Sequence, residues 1–209
     1  MICTCISETN FEKCQKALEN CAMAEIRLDL THFNNSQIAK LFSQSKVPLI
    51  ATFRPTDVSD TARHIALKAA IITGATYVDI EFDAPYATEL ISFAKENDCK
   101  IILSYHNFQA TPSTTELKEI AQKMQVLQPD FLKIVTFANA PIDTLQVLSL
   151  YETTENLIAF CMGDHGKYSR IAAYYLKTPF IYAAPDNACT TADGQLTVSE
   201  IKNILSLLN

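Results

Sequence analysis

The stretch Val78-Asp79-Ile80-Glu81-Phe82 alternates apolar and acidic side chains, which places both carboxylates on one face of a strand. Ala24-Glu25-Ile26-Arg27-Leu28-Asp29 repeats this pattern, with its three charged side chains on one face. A strand with one face in solvent would show the same alternation. The strands of a barrel have no solvent-exposed face, so in that fold the charged side chains are expected to point into the lumen.

Eight short apolar or β-branched runs recur along the chain, and segments with helical spacing separate them. The runs lie near residues 2–6, 24–29, 47–53, 77–82, 100–105, 131–136, 157–161 and 179–183. The helical segments are Phe11 to Leu18, Ile38 to Phe42, Ala62 to Ile72, Tyr86 to Phe93, Leu117 to Met124, Ile142 to Leu150, Tyr168 to Leu176 and Val198 to Leu208. Capping-type residues mark several helix starts, at Asn10, Ser59/Asp60, Ser113/Thr114 and Thr197.

Eight strands that are each followed by a helix predict an α/β fold, a (β/α)8 TIM barrel that is compact and has short loops. A doubly wound open sheet is the alternative. No G-x-G-x-x-G motif follows the first run, and eight repeats exceed the usual strand number of such a sheet. The barrel is therefore favoured, as a single catalytic domain over residues 1–209.

Composition excludes several classes of protein. The net charge of −6 and the lack of a Lys/Arg-rich tract argue against a nucleic-acid partner. No apolar stretch reaches the roughly 20 residues that span a bilayer, and no signal peptide is evident, so we expect a cytoplasmic protein without a membrane partner. The seven cysteines, at positions 3, 5, 14, 21, 99, 161 and 189, contain no Cys-x-x-Cys pair. Reduced thiols are therefore expected, and neither cysteines nor histidines have the spacing of a metal site.

A lysine lies within the apolar run Phe131-Leu132-Lys133-Ile134-Val135. Burying an ammonium group is costly, and the cost falls when the group loses its proton. A neutral, desolvated lysine amine is the nucleophile that forms Schiff bases with carbonyl compounds. The alternative is a lysine at a strand end whose ammonium reaches water.

A histidine, His106, follows the run Ile101 to Tyr105 and ends the preceding strand. Active sites of barrels are built at the carboxyl ends of the strands, so a histidine and a lysine on adjacent strands could meet one small ligand. There the imidazole could transfer protons. A loop or packing role is the alternative for His106.

The loops after the last two strands contain three of the four glycines, Gly163, Gly166 and Gly194. Glycine permits close approach of the backbone to a ligand, so a phosphate-binding loop is one interpretation. A bidentate contact between Arg170 and a carboxylate is the other. Arg27 and Arg54 also follow predicted strands, so both interpretations imply an anionic ligand.

Taken together, these motifs resemble type I 3-dehydroquinate dehydratase, the Schiff-base lyase of the shikimate pathway. The resemblance covers nearly the whole chain, and each motif alone is short. The motifs are Glu25-Ile26-Arg27-Leu28-Asp29, Thr52-Phe53-Arg54, Val78-Asp79-Ile80-Glu81, Ser104-Tyr105-His106-Asn107, Lys133-Ile134-Val135, Met162-Gly163 to Ser169-Arg170, and Ala192-Asp193-Gly194-Gln195.

The resemblance implies a carbon–oxygen lyase of aromatic amino acid biosynthesis that converts 3-dehydroquinate, an anionic cyclic hydroxy-keto acid, into 3-dehydroshikimate. Lys133 would form an imine with the C3 ketone. His106 would remove the C2 proton and, directly or through a water, protonate the departing C1 hydroxyl. No cofactor or metal is implied, and the likeness suggests a homodimer.

The resemblance also assigns supporting roles. Arg170 would bind the substrate carboxylate, with Thr191 and Gln195 nearby. Ring hydroxyls or charge balance would fall to Glu25, Arg27 and Arg54. Either Asp79 or Glu25 would orient His106, with Glu81 as a further supporting acid. Thr4 would take the place of a substrate-contacting serine.

The chain departs from the family pattern in two loops. After Arg54 it reads Pro55-Thr56-Asp57-Val58-Ser59-Asp60 where larger members carry Glu-Gly-Gly, and in the last loop Thr191 and Asp193 replace serine and proline. Two other functions stay open. A class I aldolase would use the glycine-bearing loops for a phosphate. A non-catalytic barrel that binds a small anion would have no need for both Lys133 and His106.

Overall fold

The computed structural model describes residues 1–186 and 191–208, and within them the chain alternates between strands and helices. The strands are β1 (Ile2–Ile6), β2 (Ala24–Arg27), β3 (Leu49–Thr52), β4 (Tyr77–Glu81), β5 (Lys100–Asn107), β6 (Phe131–Phe137), β7 (Leu157–Met162) and β8 (Ile181–Ala183). The α-helices are α1 (Phe11–Leu18), α2 (Leu28–Thr31), α3 (Asn35–Gln44), α4 (Asp60–Ile72), α5 (Ala87–Glu96), α6 (Thr114–Gln125), α7 (Asp143–Leu148), α8 (Lys167–Tyr175) and α9 (Val198–Leu208). Short 3-10 helices cover Ser149–Glu152 and Asp164–Gly166.

The strands of the described ranges belong to one sheet, in the order β7-β6-β5-β4-β3-β2-β1-β8. Strands β2 to β7 therefore each lie beside their predecessor in the sequence, and β8 lies beside β1. The pairs β1–β2, β2–β3, β3–β4 and β6–β7 are parallel. This order and the alternation with helices are those of the (β/α)8 barrel, which confirms the predicted fold class.

Capping residues begin the helices where the sequence predicts them. The side chain of Asn10 accepts a hydrogen bond from the backbone N–H of Lys13 at the start of α1. Ser113 and Glu116 form a reciprocal capping box at the start of α6. Such caps satisfy backbone donors that the first helical turn leaves without an intrahelical partner.

The second strand is shorter than the sequence predicts, because the chain turns into the one-turn helix α2 at Leu28. The predicted strand extended to Asp29, which instead lies in this helix. The turn brings the Asp29 carboxylate onto the guanidinium of Arg27. A four-residue helix is too short for hydrophobic periodicity to distinguish from the end of a strand.

The described residues pack into two compact units. The N-terminal unit is Cys3–Leu103, and the C-terminal unit comprises Met1–Ile2 and the described residues from Ser104 onward. In the C-terminal unit Ile181 and Ile201 form a buried cluster with Ile171 and Ala183. The single domain predicted for the whole chain stays a prediction.

The described cysteines are free thiols, and all of them except the half-buried Cys21 are buried. Burial raises the pKa of the Cys14 thiol to about 12. Cys189 lies outside the described residues. In the part of the chain that the structure describes, no helix has the length and apolar character needed to cross a bilayer.

Candidate active site

One face of strands β2, β3 and β4 carries a set of charged and polar side chains. Arg27 lies in register with Thr52, and Thr52 with Asp79. In-register residues of parallel neighbours point to the same side of a sheet, and alternation along each strand adds Glu25 and Glu81 to that side. The common face that the sequence predicts for these carboxylates is therefore present.

Arg54, which is half-buried, and the buried Asp79 form a bidentate ion pair. The guanidinium Nη1 and Nη2 donate to the two carboxylate oxygens of Asp79 at 2.9 and 2.6 Å. Burial acts to lower the pKa of Arg54, but the charge and hydrogen bonds of Asp79, aided by Glu25 and Glu81, raise it above its ordinary value. Arg54 is thus held as a cation at a fixed position just beyond the end of β3.

A second pair, Arg27 and Asp29, is built in the same way on the loop side of β2. Arg27 Nε and Nη2 donate to Asp29 at 3.0 and 2.6 Å. Burial opposes the charge, while the hydrogen bond to Asp29 and the charge of Glu25 raise the pKa of Arg27. Glu25 itself accepts a hydrogen bond from the Thr52 hydroxyl at 2.9 Å.

Glu81 lies between two arginines. Its Oε2 accepts from Arg63 at 2.6 Å, and its Oε1 lies 3.6 Å from Nη1 of Arg54. Burial raises the pKa of the Glu81 carboxyl above its ordinary value, although Arg54 and Arg63 act in the opposite direction.

Arg63 was not among the predicted site residues, although the sequence indicates that its side chain is buried. Arg63 occupies the first position of the buried stripe of α4, followed by Ala66, Leu67, Ala70 and Ile71. A charged residue at a core-facing helical position is unusual and needs a buried partner.

Thr4 does not share the face of Glu25. It lies in register with Ala24, whereas the next residue, Cys5, lies in register with Glu25. Burial raises the pKa of the Cys21 thiol, and the nearby Thr4 hydroxyl acts to lower it. The structure therefore does not bring Thr4 to the polar face, and the register places Cys5 there.

In the C-terminal unit, Lys133 is a buried residue of β6, with 5% of its surface exposed. Its Nζ lies 4.1 Å from the centre of the Tyr182 ring. Lys133 is in register with Ile158 on β7, so Phe160 shares its side of the sheet. The lysine is thus an interior residue and does not extend from a strand end to water.

Arg170, on α8, is also buried, with 2% of its surface exposed. Its guanidinium carbon lies 4.1 Å from the centre of the Phe160 ring, and Phe160 contacts Tyr182 with ring centroids 6.4 Å apart. Two contacting rings therefore support both side chains. Stacking uses the flat face of the guanidinium, while its N–H donors point outward in its plane, the geometry that suits a carboxylate.

His106 is the next-to-last residue of β5 and is half-buried, as the sequence predicts for the carboxyl end of a strand. Its ring stacks on Phe108 with centroids 5.7 Å apart and planes 10° apart. The strands of His106 and Lys133 are neighbours in the sheet.

Thr191 and Gln195 are joined by hydrogen bonds within the last loop. The backbone N–H and the hydroxyl of Thr191 both donate to Oε1 of Gln195, at 2.9 and 3.0 Å. The structure therefore brings together these two predicted residues, and the amide oxygen of Gln195 is fixed by Thr191.

The glycines of the last two loops permit close backbone contacts. A Cβ on Gly194 would lie 2.6 Å from the carbonyl oxygen of Gly163, and one on Gly166 would lie 2.6 Å from the backbone of Cys161. Ser169 links the same elements, because its hydroxyl donates to Gly166 O and accepts from Cys161 N–H. These contacts explain Gly166 and Gly194 by packing between loop and strand.

No cluster of three or more His, Cys, Asp or Glu side chains suited to a metal ion occurs within residues 1–186 and 191–208.

Comparison with solved structures first places the fold. The structure of 3-dehydroquinate dehydratase from Enterococcus faecalis superposes with a TM-score of 0.85 at 25% identity, covering 100% of this chain and 93% of that chain. A family model described as Type I 3-dehydroquinase matches residues 2–209, and the chain belongs to this family. The 3-dehydroquinate dehydratase of Thermococcus onnurineus is 35% identical over 205 residues, 93% of each chain. That of Thermococcus gammatolerans is 36% identical over 198 residues, 91% of this chain and 89% of its own.

Replacement of Gly166 by alanine tests the packing that positions α8. The backbone at Gly166 is right-handed helical, so alanine is conformationally allowed and only the collision with Cys161 acts. We expect Gly166→Ala to lower the free energy of unfolding by about 1–3 kcal/mol, measured with urea. The neighbouring, exposed His165→Ala is the control and should leave it nearly unchanged. Equal stability of the two variants would contradict the packing argument.

Proposed function

We propose that this chain is a 3-dehydroquinate dehydratase, a carbon–oxygen lyase that works through a lysine Schiff base. The observation that carries the proposal is the buried Lys133 on β6 of a chain that belongs to the type I 3-dehydroquinase family. Relatives that are more than 30% identical over nine tenths of the chain are named for this reaction, which supports the choice of substrate.

The first step is imine formation at Lys133. The neutral amine adds to the C3 ketone of 3-dehydroquinate to give a carbinolamine, which takes up one proton and loses water to leave a protonated C=N bond. Burial beside Tyr182 limits water at the amine, which protects the imine from early hydrolysis.

The second step is the elimination. The protonated imine withdraws electrons, so the C2 proton becomes acidic enough for His106 to accept it. The electrons form the C1–C2 double bond as the C1 hydroxyl leaves, and it leaves as water with the proton that His106 returns. Hydrolysis of the imine then releases 3-dehydroshikimate and restores Lys133.

Substrate binding falls to Arg170, whose N–H donors pair with the carboxylate in a buried setting where such a contact is strong. Thr191 and Gln195 form the adjacent polar loop in the sequence motif. We carry over Glu25, Arg27 and Arg54 as contacts to ring hydroxyls, with Asp79 and Glu81 fixing Arg54. Thr4 lies on the opposite face of β1 from Cys5, which shares the face of Glu25, so it is not carried over.

The homodimer and the cytoplasmic location stay predictions, as does the absence of a cofactor.

Borohydride trapping tests the covalent step. Incubation with 3-dehydroquinate and borohydride should leave a reduced adduct whose peptide maps to Lys133, and Lys133→Ala should abolish both adduct and turnover. Lys100→Ala is the matched control, since Lys100 also lies on a strand above a tyrosine ring but is exposed. An enzyme that turns over the substrate without any adduct would overturn the Schiff-base mechanism. Aldol cleavage of a sugar phosphate instead of dehydration would point to the aldolase.

Replacement of His106 by alanine separates proton transfer from imine formation. We expect kcat to fall by about 10²–10⁴-fold, the usual contribution of general acid–base catalysis, while borohydride still traps the substrate on Lys133. Phe108→Leu, which keeps the imidazole but removes its stacking partner, should lose much less. An undiminished kcat in His106→Ala would assign proton transfer to another group.

Replacement of Arg170 by lysine tests carboxylate binding. Lysine keeps the charge but cannot donate in bidentate geometry, so binding should weaken by about 1.5–3 kcal/mol, seen chiefly as a raised KM. The control is Lys167→Met, which removes an exposed cation from the first position of α8. A KM unchanged in Arg170→Lys would place the carboxylate elsewhere.

A further inference from the structure

We propose that Arg63 is a positioning residue for the dehydratase reaction, which holds Arg54 in place through Glu81 and through the chain segment on both sides of Arg54. The inference rests on the proposed function, in which Arg54 binds a substrate hydroxyl.

Arg63 connects three separate points of the N-terminal unit. Its Nη2 donates to Glu81 at 2.6 Å and to the backbone carbonyl of Phe53 at 3.1 Å, and its Nη1 donates to Asp60 at 2.8 Å. Only 4% of its surface is exposed. A planar guanidinium with donors in a rigid fork can make all three contacts at once, which a single ammonium cannot do with the same geometry.

The backbone contact fixes the segment that carries Arg54. Phe53 immediately precedes Arg54, and Asp60 is the first residue of α4. Residues 55–60 between these points are exposed, so the described side chains give them little packing. Arg63 therefore contacts the residue before Arg54 and the first residue of α4, at the two ends of this exposed segment. The position of Arg54 therefore depends on a helix that bears none of the proposed substrate contacts.

The carboxylate contact fixes the charge network. Asp79, Arg54, Glu81, Arg63 and Asp60 alternate in sign along a chain of ion pairs. This order keeps each buried charge next to an opposite one, which offsets part of its desolvation cost.

The groups that face Glu81 come from three elements. Arg54 follows β3, Arg63 lies on α4 with its guanidinium over the Tyr86 ring, and Asp79 shares β4. Burial and Asp79 favour the protonated carboxyl, and the two arginines oppose them. Removal of Arg63 leaves Arg54, at 3.6 Å, as the remaining cation in this set, so the Glu81 carboxyl should take up a proton at higher pH.

The test compares Arg63→Met with Lys68→Met, in dehydration of 3-dehydroquinate. Lys68 lies on the same helix and pairs with Glu89 at 2.6 Å, but Glu89 is exposed and far along the chain from Arg54. For Arg63→Met we expect kcat/KM to fall by on the order of 10- to 100-fold, the loss typical of a misplacement near 1 Å. The acidic limb of its pH profile should move to higher pH. Arg63→Lys, which keeps a charge beside Glu81, should retain the original limb. Lys68→Met should match the wild type in both.

A purely structural role predicts a different result. Arg63→Met would then lower the thermal midpoint while folded enzyme kept the wild-type kcat/KM and pH profile, and that outcome would overturn the proposal. If Arg63→Met does not fold, Arg63→Lys, Glu81→Gln and the double variant Arg63→Lys/Glu81→Gln form a double-mutant cycle in its place. The loss in the double variant should be smaller than the product of the two single losses. A fully multiplicative loss would contradict the route through Glu81.

The proposed function and the role of Arg63 can be overturned by different results. Wild-type enzyme without turnover of 3-dehydroquinate and without an adduct on Lys133 would overturn the proposed function, and the role of Arg63 with it. Wild-type turnover together with an unchanged Arg63→Met would overturn the role of Arg63 alone.

Discussion

The pairing of Arg54 with Asp79 is the interaction on which the polar face of the N-terminal unit depends. A parallel sheet with helices on its faces has little water near its strands, so a charged strand residue must find an opposite charge or lose its ionised form. Asp79 meets this requirement with two hydrogen bonds from one guanidinium. Loss of one partner from such a pair typically costs about 3–5 kcal/mol, because the other charge stays buried. The same constraint recurs at Arg27 with Asp29 and at Arg63 with Glu81.

The C-terminal unit solves a similar problem with aromatic rings. Lys133 and Arg170 each lie 4.1 Å from the centre of a ring, and those two rings touch. A ring face attracts the Arg170 guanidinium without neutralising it, so this cation can be held in position while its donors stay directed at a ligand. The two units thus differ in chemistry: carboxylates fix the arginines of the first, and aromatic rings support the lysine and the arginine of the second.

The fold class could be predicted because the alternation of an apolar run with a helical segment is repeated eight times. An error in the limits of one strand or helix therefore does not change the predicted number of strands. Strand β1 and helix α1 have the predicted limits, while β2 ends two residues early because α2 is only one turn long. The common face of Glu25 and Asp79 followed from simple alternation. Thr4 lies on the other face from Glu25, because in a strand a shift of one residue changes the face.

Residues that act through partners were harder to predict. Arg63 is far along the chain from Glu81, and Tyr182 is an ordinary residue of an apolar strand. Their contacts arise from tertiary packing, which local patterns do not encode. The helical periodicity of α4 does indicate that Arg63 is buried, since Arg63 is the first residue of the buried stripe that includes Leu67 and Ile71. A comparison of each charged residue's helical position with the apolar positions of its own helix identifies Arg63 from the sequence.

The buried thiols have a practical consequence. Only the thiolate reacts readily with alkylating reagents, and Cys14, whose pKa is raised to about 12, is almost wholly protonated in the native state. Chemical labelling at Cys14 therefore has to wait until the chain opens around it. The rate of labelling at Cys14, measured by mass spectrometry, would therefore report local opening of the N-terminal unit without an engineered probe.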